Sequence, residues 1–403
     1  MNPSNTDILF QYQENLIGQV DNSFFRSLYD TLPWGERMFG ITGLRGTGKT
    51  TMLLQYLKYK ANSRSEVLYI TADHIWFYEN KIYELAESFV LRGGKILLID
   101  EIHKYPHWSR ELKNIYDGFA ELQVIFTASS TLDILKGEAD LSRRALTYQL
   151  NGLSFREYLQ LFHEVVFPAV SLGDLLADAA TIAEEISSKI KPVPLFDHYL
   201  RQGYFPFGAG EENALFSRKL MQVINTIMDV DMQIMEGYTA GNIEKLKKLL
   251  GVIASTAPFE PNISKLAERL HLGRDSVKLY LLHLEKARLL NLMSRSTRGI
   301  ASLQKPDKVY LENTNMMYAL DPLPNQGALR ETFFLNQLRN AGHHITLSRK
   351  ADFEADGQYT FEVGGPSKKS RQVLEVKNAW LVVDDTDRVY LNRIPLWLFG
   401  FLY

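Results

Sequence analysis

One glycine-rich stretch of the sequence has the residue types and spacing of a phosphate-binding loop. Residues 43–50 satisfy the pattern G-x-x-x-x-G-K-[ST], follow an apolar run that ends at Thr42, and precede the helical pattern of residues 51–60. Glycines allow backbone N–H groups to curve round phosphates at a helix N-terminus, where the helix dipole also favours negative charge. An accidental glycine-rich turn is the alternative, and the strand and helix patterns on either side argue against it. The loop therefore predicts ATP binding by Gly43, Arg45, Gly46, Thr47, Gly48, Lys49, Thr50 and Thr51.

A second stretch supplies the acids that ATP chemistry needs. We expect Lys49 to reach the β and γ phosphates and the Thr50 hydroxyl to ligate Mg²⁺. Residues 95–99 form an apolar run that ends in Asp100 and Glu101, as a central parallel strand would present acids at its carboxyl edge. Asp100 is then the second magnesium ligand, and Glu101 is the general base that polarises the attacking water. Alone, such a run is more often a strand followed by a solvated turn, but its pairing with the loop favours the catalytic interpretation.

Polar residues further along the chain are additional catalytic candidates. The predicted strand 124–127 is followed by Ser129 and Ser130, which can touch the γ phosphate or the water, or can simply cap the next helix. The tandem Arg143 and Arg144 follow a predicted loop. An arginine here can neutralise transition-state charge, in the same chain or from a neighbouring subunit, or can belong to a solvated pair on a helix. Ser129 and Arg144 are the catalytic candidates, and these alternatives stay open.

Composition limits the kinds of protein that this chain can be. Its 403 residues exceed one ordinary core, and 45% hydrophobic with 23% charged residues is typical of a folded globular protein. The lack of cysteine excludes disulfides, cysteine–zinc sites and thiolate catalysis and fits a reducing compartment, so we expect a cytoplasmic location. Residues 1–15 lack a signal-peptide pattern and no apolar run is long enough to cross a bilayer, so we expect no membrane partner. The formal charge of −2 neither favours nor excludes nucleic acid.

The order of sequence patterns predicts four domains. Apolar runs alternate with helical stretches between residues 37 and 150, which predicts βαβ units, a parallel sheet and an α/β fold. From residue 154 the chain is almost purely helical, and a helix-turn-helix pattern with two strands follows residue 258. Mixed α and β signals return after residue 327. We therefore predict a P-loop ATPase core at 1–153, a helical lid or connector at 154–240, a winged helix at 241–320 and an α+β domain at 321–403.

These motifs occur together in a known family. The chain resembles the prokaryotic AAA-like (AAA_14-type) P-loop ATPases that carry a C-terminal domain of unknown function, and the motifs concerned are residues 43–50, 98–104 with Trp108, 127–130, 140–144 and 153–158. Ala128 stands where the family usually has glycine. The resemblance covers nearly the whole chain. It implies a P-loop NTPase core of the additional-strand class, a winged helix-turn-helix, and a C-terminal α+β domain similar to the PD-(D/E)XK restriction endonucleases.

The predicted winged helix is locally basic. Apolar residues recur at helical spacing in 263–270 and 274–284 and leave a polar outer face. Residues 285–308 contain only two acids, but six basic residues: Lys286, Arg288, Arg295, Arg298, Lys305 and Lys308. With Arg274 and Lys278, the wing arginines are the best candidates for contacts with the phosphates of double-stranded DNA. The alternative is a module that packs only against protein, so a protein partner stays open.

The C-terminal domain has the carboxylates of a nuclease but not its lysine in the expected place. A PD-(D/E)XK site needs acids to gather Mg²⁺ and a lysine, two residues after a strand glutamate, to orient or activate the attacking water. The candidate acids here are Asp352, Glu362 and, from an earlier helix, Glu331. Gly364 occupies the lysine position, and the Glu-x-Lys at residues 375–377 is treated as fortuitous. We predict that the domain does not cut DNA, although Lys368 or Lys369 would substitute if the chain returned over the site.

Three functions fit these expectations. The preferred one is an ATP-driven switch or remodelling protein, in which nucleotide state moves the helical lid and repositions the winged helix and C-terminal domain on a nucleic-acid or protein target. The second is a metal-dependent nuclease regulated by ATP, and the third is a scaffold that hydrolyses ATP slowly and acts through protein contacts. ATP and Mg²⁺ are the expected cofactors. A homo-oligomer is expected if the arginine acts from a neighbouring subunit.

Overall fold

The chain folds into two units. In the computed structural model the described residues are 6–61, 63–128, 141, 143–232, 240–256, 258, 260–295, 306–368 and 376–403. The division between the units falls between Asn151 and Gly152. Across the ranges given above, no helix is long and apolar enough to cross a membrane.

The first unit is a parallel sheet flanked by helices. Its strands are β1 (Met38–Thr42), β2 (Val67–Thr71), β3 (Ile96–Asp100), β4 (Gln123–Ala128) and β5 (Leu146–Gln149). Its α-helices within the described residues are α1 (Asp7–Ile17), α2 (Ser27–Thr31), α3 (Lys49–Gln55), α4 (Ile82–Leu91) and α5 (Trp108–Gly118). A π-helical turn, Tyr56–Lys60, continues α3.

Strand order brings the two predicted motifs to one edge of this sheet. The five strands are parallel in the order β2-β3-β4-β1-β5. β4 therefore lies between β1, which leads into the glycine-rich loop, and β3, which ends in the acid pair. This is the additional strand of the predicted P-loop class, and the α/β fold is confirmed. Because parallel strands end at the same edge, residues that follow β1, β3 and β4 lie close together.

The core of the first unit lies on both faces of the sheet. Leu97 and Ile99 of β3 pack with the buried residues of α4 and α5, whereas the intervening Leu98 packs with those of α3. This alternation is the two-residue period of a strand. A strand buried on both faces must be apolar throughout, which explains the continuous apolar run that the sequence shows before Asp100. The catalytic candidates therefore stand on a rigid, fully packed element.

The second unit contains helices, a helix-turn-helix and a mixed sheet. Its described α-helices are α6 (Phe155–His163), α7 (Leu172–Lys189), α8 (Pro192–Gln202), α9 (Asn213–Thr226), α10 (Ala240–Ala254), α11 (Ile263–Leu270), α12 (Arg274–Lys286), α13 (Thr314–Leu320) and α14 (Gln326–Asn340). Its strands are β6 (Leu290–Met293), β7 (Lys308–Leu311), β8 (Ile345–Leu347), β9 (Phe353–Ala355), β10 (Tyr359–Gly364), β11 (Ala379–Val383) and β12 (Arg393–Pro395).

The helix-turn-helix is followed by a two-stranded antiparallel sheet. Asn262 caps α11 by accepting a hydrogen bond from the Lys265 N–H at 3.1 Å. The αL residue His271 ends α11, and Gly273 precedes α12. β6 and β7 then pair in antiparallel register, from Leu290 opposite Leu311. This order of elements is the one expected of a winged helix, whose identity here stays a prediction.

The C-terminal sheet shares one core with the helices that begin the unit. The sheet has the order β12-β11-β10-β9-β8, with β10 to β12 parallel and β8 and β9 antiparallel. Phe155 of α6 and Tyr199 of α8 belong to the same apolar cluster as Phe333 of α14, Phe361 of β10 and Phe401. The first helices of the predicted lid thus pack with the C-terminal sheet. The boundaries of the four predicted domains stay predictions.

Candidate functional site

The loop between β1 and α3 has the backbone geometry that phosphate binding requires. Gly46 and Gly48 have φ angles of 82° and 99°, in the left-handed region that glycine adopts without steric cost. A Cβ atom on Gly43 would lie 2.3 Å from the Leu150 carbonyl oxygen, so the close packing there also needs glycine. Lys49 is the first residue of α3, which places the loop at a helix N-terminus.

The loop lysine is buried over the loop itself. Lys49 is 5% exposed, and its Nζ donates to the carbonyl oxygens of Gly43 at 3.0 Å and Leu44 at 2.9 Å. The Thr47 hydroxyl also donates to Leu44, at 2.9 Å. A buried ammonium is stabilised by a nearby anion. The phosphates of a nucleotide would supply that charge.

Asp100 is buried at the end of β3 and accepts hydrogen bonds from three hydroxyls. Thr50 donates to Oδ2 at 2.7 Å, Tyr69 donates to Oδ2 at 3.0 Å, and Thr127 donates to Oδ1. Burial to 3% exposure raises the pKa of Asp100, although the hydroxyls of Thr127 and Thr50 oppose the shift. The hydroxyls fix the orientation of the carboxylate, and a cation placed beside it would stabilise its charged form.

The donor set fits a magnesium ion that arrives with a nucleotide. Thr50 and Asp100 place a hydroxyl and a carboxylate oxygen side by side, and Mg²⁺ prefers oxygen ligands, one or two from the protein with phosphates and waters completing the shell. Within the described residues there is no cluster of three or more His, Cys, Asp or Glu side chains that could hold a metal alone. Thr50 and Asp100 therefore suit a nucleotide-bound cation.

Glu101 follows Asp100 and is surrounded by basic side chains. Its backbone is left-handed, with φ of 53°. Its carboxylate Oε2 lies 3.3 Å from Arg45 Nη1, 3.3 Å from Lys104 Nζ and 3.7 Å from His103 Nε2. Burial works to raise the pKa of Glu101, but Lys49, His103, Arg45 and Lys104 outweigh it and hold this pKa below its usual range. The pKa values of the two neighbouring carboxyls therefore shift in opposite directions. The lowered pKa keeps Glu101 ionised, so that its carboxylate can accept a hydrogen bond from water.

Arg144 lies at the other edge of the sheet from the loop. Its guanidinium binds the Asp117 carboxylate through two contacts, Nε to Oδ1 at 2.9 Å and Nη2 to Oδ2 at 3.0 Å. Asp117 is near the end of α5, and Leu146, which starts β5, pairs with Phe39 near the start of β1. The glycine-rich loop follows the opposite end of β1. This position does not support action within the same chain, so the finger role stays a prediction for a neighbouring subunit.

The serine candidates cannot be placed. Ser129 and Ser130 lie outside the described residues, as does Asp140. Arg143, the other half of the arginine pair, is exposed. The catalytic role of Ser129 therefore stays a prediction.

Comparison with known proteins agrees with the geometry. Residues 35–159 match the family model described as an AAA domain, AAA_14. This part of the chain is an AAA-like P-loop ATPase domain. Residues 193–327 match a domain of unknown function, DUF8612, which begins in α8 and runs past β7.

Two relatives that match most of this chain are uncharacterised proteins. An uncharacterised protein of Methanocaldococcus jannaschii is 28% identical over 83% of this chain and 76% of its own length. An uncharacterised protein of Haemophilus influenzae is 22% identical over 87% of this chain and 89% of its own length. Among solved structures, a Walker-type ATPase of Pyrococcus abyssi has a TM-score of 0.42 and 11% identity over 74% of this chain and 95% of its own.

Outside the AAA domain, two of the basic residues predicted to contact DNA bind carboxylates of the chain instead. Arg288 Nη2 lies 2.6 Å from Glu312 Oε1, and Lys308 Nζ lies 3.4 Å from Glu331 Oε2. Arg295 is exposed. Exposed Arg274 and half-buried Lys278, which pairs with Asp275 at 3.2 Å, belong to α12, whereas Arg298 and Lys305 lie outside the described residues. Among the described candidates, exposed Arg274 and Arg295 and half-buried Lys278 and Lys286 remain for the predicted phosphate contacts.

In the C-terminal sheet, a lysine from further along the chain reaches the predicted nuclease acids. Lys368 Nζ lies 2.7 Å from Glu362 Oε1 and 3.5 Å from Asp352 Oδ2. Asp352 Oδ2 also accepts a hydrogen bond from the Val363 N–H at 2.8 Å. A Cβ on Gly364 would lie 2.1 Å from Lys368 Cδ, so glycine leaves the room that the lysine stem occupies.

The chain thus returns over the site after the turn and brings Lys368 to the acids, which is the substitution that the sequence allowed, while the position two residues after Glu362 has no lysine. Glu331 accepts a hydrogen bond from the Tyr310 hydroxyl at 2.6 Å, and burial and the charge of Asp352 raise its pKa. Lys369 and Glu375 lie outside the described residues. That the domain does not cut DNA stays a prediction.

Sequence reasoning missed two of the three hydroxyls on Asp100. Thr127 begins the family motif at residues 127–130 but was given no contact with Asp100, and Tyr69, in the middle of β2, belongs to no motif. Their side chains reach Asp100 because β2, β3 and β4 are adjacent in the sheet. For Thr127, the available signal was a polar residue near the carboxyl end of a predicted core strand.

Proposed function

We propose that the AAA domain hydrolyses ATP with Mg²⁺ and that the chain is an ATP-driven switch or remodelling protein. The observation that carries this proposal is the alignment of Thr50, Asp100 and Glu101 beside the loop lysine Lys49. Thr50 and Asp100 are in contact at 2.7 Å, and the next residue is a carboxylate whose pKa is held low. These groups have the types and order that phosphoryl transfer to water requires.

In this mechanism the loop N–H groups and Lys49 hold the β and γ phosphates. Thr50 and Asp100 would hold Mg²⁺, which neutralises charge on the phosphate oxygens when bound. Glu101 accepts a hydrogen bond from a water, whose oxygen bonds to the γ phosphorus as the bond from that phosphorus to the β–γ bridging oxygen breaks. The water proton passes to Glu101 and then to the released phosphate, and ADP remains.

The cations around Glu101 have other partners available during this step. Lys104 also contacts Asp73, so it can leave Glu101 and still be paired with a carboxylate. Arg45 belongs to the loop and can turn to a phosphate oxygen. Binding of ATP would in this way free Glu101 for the water.

The second unit is the proposed output of the ATP cycle. The helix-turn-helix with exposed Arg274 and Arg295 supports a target that is negatively charged, for which double-stranded DNA is the first choice and a protein the second. Hydrolysis would change how this unit engages its target. Action of Arg144 from a neighbouring subunit would require a homo-oligomer.

The test is the ATPase rate of the purified chain, with and without duplex DNA, across a protein concentration series. The proposal expects magnesium-dependent turnover that DNA stimulates, with Lys49→Ala as the background control. An ATPase rate that is the same with and without DNA would favour a scaffold that acts through protein contacts. No magnesium-dependent turnover above the Lys49→Ala level, under any of these conditions, would reject the proposal.

Lys368 favours a second candidate function, metal-dependent hydrolysis of phosphodiesters by the C-terminal sheet. Asp352 and Glu362 would hold a divalent cation, and Lys368, 2.7 Å from Glu362, would orient the attacking water. The cation would have to displace the lysine from Glu362, since both need the same oxygens. Cleavage of DNA by the Lys49→Ala protein would support this function independently of ATP.

A further inference from the structure

A buried arginine outside the glycine-rich loop binds the loop directly. Arg26 immediately precedes α2 and is 6% exposed. Its Nη1 donates to the Thr47 carbonyl oxygen at 2.7 Å, and its Nη2 donates to the Asn151 carbonyl oxygen at 2.8 Å. One guanidinium therefore joins the middle of the loop to the last residue of the first unit.

The bond to Thr47 determines where the next N–H group points. In a trans peptide the C=O bond and the following N–H bond point in opposite directions. Because Arg26 holds the Thr47 oxygen, the N–H of Gly48 is directed away from Arg26. The Leu44 oxygen is similarly held by Lys49 and by the Thr47 hydroxyl. Carbonyls bound in this way leave the N–H groups of the loop to bind an anion.

The segment after β5 is a second support of the loop. The Leu150 N–H donates to the Thr42 oxygen at 2.7 Å, and the Leu150 oxygen lies 2.3 Å from the position that a Cβ of Gly43 would take. Arg26 extends this support by one residue, to Asn151. A guanidinium suits the role because it presents several donors in a fixed plane, whereas an ammonium is a single point charge.

We propose that Arg26 is a positioning residue of the ATP site, which holds the Thr47 carbonyl so that the Gly48 N–H is aimed at the nucleotide phosphates. The inference rests on the proposed ATP binding and adds a residue that no motif marks. Arg26 acts through the loop. Its removal should therefore weaken nucleotide binding more than it slows the chemical step.

The experiment compares Arg26→Ala and Arg26→Lys with the matched control Arg37→Ala. Arg37 also donates to two backbone carbonyls of the first unit, those of Tyr116 and Phe119, but it precedes β1 and so lies at the edge away from the loop. The measurements are the Kd for ATP with Mg²⁺ by calorimetry, KM and kcat for ATP, and the thermal unfolding midpoint of each protein.

We expect Arg26→Ala to raise Kd and KM about tenfold or more, the usual effect of removing a hydrogen bond from a charged donor, with kcat changed less than about threefold. Arg26→Lys should recover part of the affinity, because one ammonium can hold one of the two carbonyls. Arg37→Ala should leave Kd and KM unchanged.

Two results would overturn the inference, and they are distinguishable. If the unaltered chain binds ATP but Arg26→Ala and Arg37→Ala have the same Kd, Arg26 is only structural and the proposed function survives. If the unaltered chain does not bind ATP at all, the proposed function fails and the role of Arg26 fails with it. Should Arg26→Ala not fold, the Kd and KM of Arg26→Lys against Arg37→Ala decide the question.

Discussion

Replacing Arg288 distinguishes a DNA contact from a buried ion pair. The sequence places Arg288 in a basic segment, whereas the structure pairs it with Glu312 at 2.6 Å, and Glu312 is 2% exposed. Arg288 also donates to Asn340 Oδ1 at 3.2 Å. Arg288→Met keeps most of the side-chain volume but removes the charge, so it leaves the Glu312 carboxylate buried without its closest cation.

The cost follows from the desolvation of that carboxylate. Removing one partner of a buried pair costs about 3–5 kcal/mol, and we expect about 3 kcal/mol because the Arg288 side chain is 23% exposed and Arg339 provides a second cation nearby. Burial already raises the pKa of Glu312, and removal of Arg288 raises it further. Protonation of Glu312 therefore stabilises the folded variant more than the unfolded one. The loss of stability relative to the unaltered chain should shrink as pH falls.

Urea unfolding at pH 7 and at a lower pH measures both effects. Arg295→Met is the control, since exposed Arg295 lies on the same segment and its replacement should change stability by less than about 0.5 kcal/mol. Glu312→Gln in the Arg288→Met background should recover much of the stability, because an amide is cheaper to bury than a charge. Equal stability of Arg288→Met and Arg295→Met, with weakened DNA binding only in the former, would refute the reasoning.

Three further predictions concern Arg144, the binding of DNA and the C-terminal sheet. If Arg144 acts from a neighbouring subunit, specific ATPase activity rises with protein concentration and a mixture of Lys49→Ala and Arg144→Ala proteins regains activity, whereas a flat concentration series with an active Arg144→Ala protein removes the role. Binding to duplex DNA should weaken steeply with salt, and Arg295→Ala should reduce the log–log slope by about one unit for each phosphate that is no longer neutralised, while no binding at low salt points to a protein partner. A C-terminal nuclease predicts magnesium-dependent cleavage of supercoiled DNA that is abolished in Asp352→Ala and Lys368→Ala but kept in Lys49→Ala, and intact DNA in every arm excludes it.

The candidate ATP site could be located from the sequence because its main residues belong to two local motifs. The loop from Gly43 to Thr50 and the pair Asp100 and Glu101 are each contiguous in sequence, and a strand pattern before each one indicates the sheet edge that they share. The order of strands brings them together without further information. Parallel strands also made the α/β fold predictable, since their continuous apolar runs are a local signal.

Residues that act across strands or through backbone atoms were not predictable. Tyr69 reaches Asp100 because β2 pairs with β3 in one particular register, and register is set by the whole sheet. Arg26 binds carbonyl oxygens, and every residue offers one, so no residue type marks the target. Such contacts are visible only once the chain is folded.

Counting positions along a strand failed in the C-terminal sheet for a related reason. The spacing rule placed a lysine at Gly364 and found none, but the chain turns after β10 and brings Lys368 back over the same glycine. Arg144 shows the reverse case. Its distance from the loop depends on whether β5 runs parallel or antiparallel to β1, and the sequence did not determine that direction.

The most direct test of the account is to compare Glu101→Gln with the unaltered chain for ATP affinity and for single-turnover hydrolysis with Mg²⁺. Glu66→Gln is the matched control, because Glu66 also contacts a lysine, Lys95, but precedes β2 and so lies at the edge away from the loop. We expect Glu101→Gln to bind ATP with nearly unchanged Kd and to hydrolyse it about 100- to 10,000-fold more slowly, the usual contribution of a general base, while Glu66→Gln retains turnover. Unchanged turnover in the Glu101→Gln protein would contradict the assignment of Glu101, and with it the proposed mechanism.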